Sequence, residues 1–199
     1  MVKTISKFAL LAALGLPLMA AGASAKQLTT GSISPAQGGN TFTPEEIVSR
    51  GHEFFGNTSR GLAEAIEYAF REQGQPSAYI IGEEGAGAFI GGLRYGEGTI
   101  YYKNGAKRHI FWQGPSIGWD FGGNGSRNMT LVYNSQSPED LYTRFAGVEG
   151  SAYLIGGLGV NFEKHDQISL APIRTGVGAR LGANIGYLKY SPEATWNPF

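Results

Sequence analysis

The segment 99–112, TIYYKNGAKRHIFW, decides the fold of this chain. Two runs rich in aromatic and β-branched residues flank Asn104-Gly105, a dipeptide that strongly favours a tight hairpin turn. The segment therefore predicts two antiparallel strands joined by a short turn. Residues 77–190 have a similar composition, with turn residues at short spacing, and this predicts roughly eight to ten strands in all.

Glycine is unusually frequent in this strand-like region, and the whole chain has 31 glycines. Glycine weakens a strand by roughly 0.5–1 kcal/mol relative to alanine, so it is expected where a sheet bends sharply or an aromatic ring meets the backbone. Clusters in 85–98 and 176–186 suit a sheet that closes on itself. We therefore expect a mainly β protein of the α+β class, a small soluble β-barrel-like fold with a strongly curved antiparallel sheet.

Two helices are predicted on the N-terminal side of the sheet. Thr43-Pro44-Glu45-Glu46 combines an N-cap, a proline at the first helical position and a capping box. A second amphipathic helix follows the break at 57–59 and ends at Gly74. One short inserted helix is predicted to begin at Ser137-Pro138 and to reach Phe145.

The N-terminus reads as a secretory signal peptide. Residues 1–7 carry two lysines and no acid, 8–21 form an uncharged apolar run, and Ala23-Ser24-Ala25 supplies a cleavage site. The apolar run is about 14 residues, whereas a spanning helix needs roughly 20. We predict a signal peptide over 1–25 cleaved near Ala25, a flexible leader over 26–41, and one β-barrel-like domain with N-terminal helices over 42–199. The predicted location is the periplasm.

Composition excludes several classes of function. The chain has no cysteine, so disulfides and thiolate metal sites are ruled out. Without Lys3 and Lys7, 14 basic and 16 acidic residues remain, with no basic patch, so nucleic acid is not an expected partner. The three histidines lack metal-binding spacing, and no glycine-rich phosphate loop is present. No metal and no cofactor are expected.

Two alternatives to a binding protein stay open. Gly114-Pro115-Ser116-Ile117-Gly118 matches the G-x-S-x-G pattern of hydrolases, although 119–123 is a poor start for the helix that this pattern requires. A hydrolase of envelope polymers would use Ser116 or the acids Glu83-Glu84 and Glu97. The C-terminal Phe199 suits an integral outer-membrane barrel, but Pro192 and Pro198 would disturb a final spanning strand.

The candidate binding residues are aromatic side chains and one charged pair. Trp112, Trp119 and Tyr95 are expected to line a groove or cavity, since tryptophan and tyrosine combine an apolar body with a polar tip. Asp120 and Arg127 stand in a glycine-rich loop over 120–127, where rigid positioning suits function. No catalytic set is assigned.

Four blocks carry a resemblance to a known family: 93–99 (LRYGEGT), 112–118 (WQGPSIG), 120–127 (DFGGNGSR) and 182–188 (GANIGYL). Together they resemble the envelope integrity protein A family. The resemblance implies a periplasmic protein with a β-barrel-like fold that is needed for cell-envelope integrity, and it carries no catalytic residues. A weaker likeness to lipid-binding SYLF domains covers 114–134.

These observations lead to one expectation about function. The protein is expected to be non-enzymatic and not integral to a membrane. It is expected to support envelope integrity by binding an amphipathic envelope component, such as a lipid, or an envelope protein.

Overall fold

The structure is a computed structural model, and it describes residues 39–56, 61–87, 93–115, 126–175, 186–195 and 197. The predicted boundaries at 25 and 41 stay predictions. The helices are α1 (Pro44–Phe55) and α2 (Leu62–Gln73). The strands are β1 (Ala78–Gly87), β2 (Leu93–Tyr102), β3 (Lys107–Pro115), β4 (Ser126–Tyr133), β5 (Arg144–Gly147), β6 (Tyr153–Ile155), β7 (Leu158–Val160), β8 (Glu163–His165), β9 (Ile168–Thr175) and β10 (Tyr187–Ser191).

Eight of the ten strands form a closed antiparallel barrel. Their order is β4-β1-β2-β3-β10-β5-β8-β9, and β9 pairs with β4 to complete the ring. Strand β7 pairs with the end of β9 and carries β6 on its outer side. The predicted mainly β, barrel-like fold and its strand number are therefore confirmed.

The barrel interior is filled by side chains. Successive residues of a strand alternate between the two faces of a sheet, so every second residue of each strand points inward. Trp112, Tyr190 and Phe145 occupy the middle, with ring centroids 6.0 Å apart for the first two and 5.7 Å apart for the last two. Aliphatic side chains complete this cluster: Ile80, Ile100, Ile110, Val132, Leu170 and Leu188.

A second apolar cluster lies between the helices and the outer face of the barrel. Helix α2 packs against β6, β7 and β9, and Leu62 and Ile66 are completely buried there. On the sheet side, Met129 and Leu131 of β4 and Ile173 of β9 are equally inaccessible. Fully burying such a side chain stabilises the fold by roughly 1.5–3 kcal/mol, so this contact fixes both helices on one side of the barrel.

Two local predictions are confirmed. Thr43 caps α1, because its Oγ1 accepts from the Glu46 N–H at 3.4 Å while Glu46 Oε2 accepts from the Thr43 N–H at 2.9 Å. The hairpin between β2 and β3 turns at Asn104-Gly105, with Gly105 at φ 87° and the Tyr102 N–H donating to the Ala106 carbonyl at 2.9 Å.

The predicted length of the inserted helix is wrong. Only a single 3-10 turn forms, over Pro138–Leu141, and Tyr142 leaves helical geometry at ψ 61°. Phe145 belongs to β5 and is completely buried inside the barrel. Burial of this ring and pairing of β5 with β10 outweigh the local helical signal.

Neither helix of the described part of the chain has the length and apolarity needed to cross a membrane.

Candidate functional site

An open groove of about 360 Å³ lies on strands β1, β2 and β3, under the C-terminal residues Ala194 and Thr195. We call it the β1–β3 groove. Most of its lining side chains point away from the barrel interior, because they alternate with the buried residues of the same strands. The main lining side chains are Glu83, Tyr95, Glu97, Phe111 and Gln113.

Trp112 forms part of the wall of this groove because glycines of β1 and β2 leave room for its indole. A Cβ atom added to Gly96 would lie 2.1 Å from Trp112 Cε2, so the indole rests directly on the β2 backbone. Gly82 of β1 leaves similar room, since its Cβ would lie 2.8 Å from Trp112 Cη2. The indole Nε1 donates to Glu84 Oε2 at 2.9 Å. Trp112 is therefore held rigidly between the barrel interior and the groove.

The rim of the β1–β3 groove is acidic. Glu83 and Glu97 are direct cross-strand partners on β1 and β2, and both are exposed. Like charges placed opposite each other destabilise a sheet by up to roughly 1 kcal/mol. His109 Nε2 lies 3.5 Å from Glu97 Oε2, and Arg127 of β4 is the other cross-strand partner of Glu83. A bound cationic group would relieve the repulsion between the two carboxylates further.

Gln113, in the wall of the β1–β3 groove, has a buried hydrogen-bond donor without a partner. The residue is 1% exposed, and its Nε2 atom is buried with no hydrogen-bond partner among the described residues. A buried donor without a partner costs roughly 1–3 kcal/mol. Because Nε2 has no accessible surface, this cost is part of the folded protein and not an open contact for a ligand. The groove thus offers an aromatic surface and two carboxylates.

A buried ion network lies inside the barrel, at the end where β1 and β9 finish. Glu84 Oε1 lies 3.6 Å from Arg94 Nη1 and 3.4 Å from Arg174 Nε. Arg174 Nη2 lies 3.6 Å from Glu163 Oε1, and its Nη1 donates to Asn161 Oδ1 at 2.6 Å. Two carboxylates and two guanidiniums balance the formal charge in this network.

The two buried glutamates have opposite pKa shifts. Burial alone raises the pKa of either carboxyl. At Glu84, the Arg174 and Arg94 guanidiniums and the Trp112 N–H together outweigh burial, so the pKa of Glu84 is lowered. At Glu163, burial outweighs the attraction of Arg174, and the pKa is raised. Glu163 Oε2 also lacks a hydrogen-bond partner in the described structure, which favours its protonated form.

The structure brings two of the five sequence-predicted residues together. Tyr95 and Trp112 both line the β1–β3 groove. Arg127, at the start of β4, is the cross-strand partner of Glu83 at the edge of the groove, and its Nη1 donates to the Phe54 carbonyl oxygen at 3.0 Å. Trp119 and Asp120 lie outside the described residues, so their roles and the pairing of Asp120 with Arg127 stay predictions. The alternative nucleophile Ser116 also lies outside them.

Sequence reasoning missed the ion network and Gln113. The available signal was the period of two along each strand: Arg94 shares its face with Ile100 and Tyr102, and Arg174 shares its face with Leu170. A charged residue on the same strand face as buried residues is expected to be buried too, and a buried charge needs an oppositely charged partner. Which strands supply the partner follows from long-range pairing, and no local pattern reveals it.

Within the described ranges, no three histidine or carboxylate side chains converge as a metal site would require. Thr143 Oγ1 and Asp166 Oδ2 lie 3.5 and 3.6 Å from the same nitrogen, Nε2 of His165. A relay needs the acid and the hydroxyl on opposite ring nitrogens, so this trio does not have the geometry of a nucleophile–base–acid set.

Fold and groove together define a class of protein: a small closed antiparallel β-barrel with a filled interior, two helices on one side and a ligand-sized groove outside. The family model for envelope integrity protein A matches residues 40–199. The chain belongs to the envelope integrity protein A family, as its sequence blocks predict. Membership associates it with the integrity of the cell envelope.

One solved structure supports the same fold. The chain is 63% identical to a beta-barrel-like, uncharacterized protein from Brucella abortus, over 81% of this chain and 100% of that one, with a TM-score of 0.75. No curated protein matches the chain.

Proposed function

We propose that the protein is a non-enzymatic binding protein that supports cell-envelope integrity by holding an amphipathic envelope component, a lipid or a segment of an envelope protein, in the β1–β3 groove. The observation that carries this proposal is the aromatic surface of the groove directly beside an acidic rim. Family membership supports the envelope as the place of action.

The groove selects for a ligand with two different ends. Phe111 and Tyr95 present aromatic surface, which favours an apolar ligand portion. Glu83 and Glu97 favour a cationic group at the rim. An amine-bearing lipid headgroup and a basic peptide segment both have this combination.

The proposed location is the periplasm, after removal of the signal peptide over 1–25. The outward side of the sheet supports an aqueous setting, because Glu83 of β1, Glu97 of β2 and Lys107 of β3 are all exposed there. A charge on the lipid-facing side of a membrane barrel costs roughly 2–4 kcal/mol at mid-depth. Osmotic shock is expected to release the protein; retention until detergent is added would favour the integral-barrel alternative.

The experiment that tests the binding role is complementation of a deletion strain. A double charge reversal, Glu83→Lys with Glu97→Lys, is expected to abolish rescue of detergent resistance, since it places two cations where the ligand's cation would sit. Glu67→Lys is the matched control, because Glu67 is an exposed acid on α2, away from the groove. Full rescue by the double variant would contradict the groove proposal.

The chemical class of the ligand is tested on protein taken from its own envelope. Native mass spectrometry is expected to show a bound amphipathic species that the Glu83→Lys, Glu97→Lys variant lacks. The enzyme alternative has a separate test: loss of rescue by Ser116→Ala with normal folding would favour a hydrolase over a binding protein.

A further inference from the structure

A second and larger cavity, of about 530 Å³, lies at the opposite end of β1 and β2 from the β1–β3 groove. Four chain segments meet in it: 40–41, 75–77, 102–104 and 134–136. Small-molecule sites span roughly 300–1,000 Å³, so its size suits a ligand. We call it the amide pocket, because five of its lining residues carry primary amides: Asn40, Gln75, Asn104, Asn134 and Gln136.

The amide pocket carries no free charge. Its one cation, Lys103, donates to Glu46 Oε2 at 2.6 Å, and its ammonium lies 5.0 Å from the centre of the Phe42 ring. Burial raises the pKa of Tyr102 to about 12, so that phenol stays neutral. No aspartate or glutamate lines the pocket. An ionic ligand would therefore find no opposite charge there.

Three of these amides form a hydrogen bond within the protein through only one of their two polar atoms. Gln75 Oε1 accepts from Thr41 Oγ1 at 2.8 Å, and Asn104 Oδ1 accepts from the Ala106 N–H at 2.9 Å. Asn134 Nδ2 donates to the Gln167 carbonyl at 2.9 Å. The other polar atom of each amide, Gln75 Nε2, Asn104 Nδ2 and Asn134 Oδ1, makes no hydrogen bond within the described structure, and these exposed residues line the pocket.

The floor of the amide pocket is rigid. The Tyr102 hydroxyl and Ser135 Oγ are 2.6 Å apart, and the Ser135 N–H donates to Ser77 Oγ at 3.2 Å. Ser77 is itself tied to β4, since its N–H donates to the Val132 carbonyl at 2.8 Å. A fixed floor with oriented amides lowers the entropy lost when a ligand binds.

From this lining we infer that the amide pocket is a binding site for a short neutral saccharide, or for the end of a neutral saccharide chain. A sugar hydroxyl both donates and accepts hydrogen bonds, and its natural complement is a set of fixed amide donors and acceptors without net charge. This second site is independent of the proposed role of the β1–β3 groove.

The test is an NMR titration of the isotope-labelled protein with maltotriose and, separately, chitotriose at millimolar concentration. At least one sugar is expected to shift amide signals of 75–77 and 134–136, and not those of 95–97. Gln75→Ala and Asn134→Gly are each expected to weaken binding roughly three- to tenfold, the effect of losing one or two neutral hydrogen bonds. Glycine at 134 keeps the φ of 63° found there.

Glu97→Gln, in the β1–β3 groove, is the matched control and is expected to leave the titration unchanged. Absence of shifts with both sugars overturns the inference. So does binding that survives both pocket variants unchanged. Complementation by the groove variants reports on the other site, so the two proposals fail separately. Far-UV circular dichroism establishes that each variant is folded.

Discussion

At the scale of single residues, Gly96 shows how closely the interior is packed. Its missing side chain leaves the space that the Trp112 indole occupies, 2.1 Å from where a Cβ would stand. Gly96→Ala is therefore expected to lower the free energy of unfolding by roughly 3 kcal/mol, the upper end of overpacking costs. Urea denaturation measures this loss.

Gly85→Ala is the matched control for that prediction. It lies on the neighbouring strand, and an added Cβ would meet nothing within 4 Å. We expect a change within roughly 0.5 kcal/mol. Equal losses for the two alanine variants would mean that β-strand backbone effects, and not contact with the indole, explain the glycine at 96.

The two buried glutamates predict opposite dependences of stability on pH. Glu84 has a lowered pKa, so its contribution is present above the unfolded value, near 4.5, and is lost as pH falls below it. Glu163 has a raised pKa, so it binds a proton more tightly in the folded state and costs stability as pH rises above that same value.

Thermal unfolding of two variants between pH 2 and pH 8 separates these contributions. Glu84→Gln is expected to destabilise the protein by roughly 3 kcal/mol at neutral pH, since Arg94 and Arg174 lose the carboxylate that they share and Glu163 alone is left to balance two guanidiniums. Glu163→Gln mimics the protonated acid, so its stability relative to the wild type is expected to rise with pH. A parallel pH response in both variants would contradict the opposite shifts.

At the scale of secondary-structure elements, the start of α1 depends on one side chain. Thr43→Ala removes the cap of the Glu46 N–H and is expected to cost about 1 kcal/mol in the free energy of unfolding. Thr43→Ser keeps the hydroxyl and is expected to cost much less. Urea denaturation of both variants checks this, and equal losses would assign the effect to the threonine methyl group.

Elements with local signals were predictable from sequence, and elements fixed by distant contacts were not. The cap of α1 and the turn at 104–105 depend on residues within a few positions of each other, and both are confirmed. The 3-10 turn at 138–141 ends before Phe145 because the Phe145 side chain packs inside the barrel as part of β5. For the candidate site, residue type alone led to Tyr95 and Trp112, which line the groove, and their role in binding stays a prediction. The Arg174 network depends on the pairing of β9 with β4 and β8.

At the scale of the whole molecule, the seam between β5 and β8 is the shortest among the described strands of the barrel, one position shorter than the seams of β3 with β10, β5 with β10 and β8 with β9. Strands β5 and β8 pair through two residue positions, whereas β1 and β2 pair through ten. Local opening requires breaking few contacts at such a seam. Amides of Phe145 and Ala146 are therefore expected to exchange with deuterium at least tenfold faster than those of Ile80 and Ile100, measured by NMR; equal protection would show that the barrel opens only as a unit.

Ring closure also has a consequence for self-association. Among the described strands, only β6 has an edge without a neighbouring strand, and it is three residues long. It carries the exposed side chains Tyr153 and Leu154, whose apolar surface favours association between copies at high concentration. So short an edge offers too few backbone hydrogen bonds to template a strand from another copy. Crowding therefore gives this molecule little opportunity to polymerise through its sheet, despite its high content of β-structure.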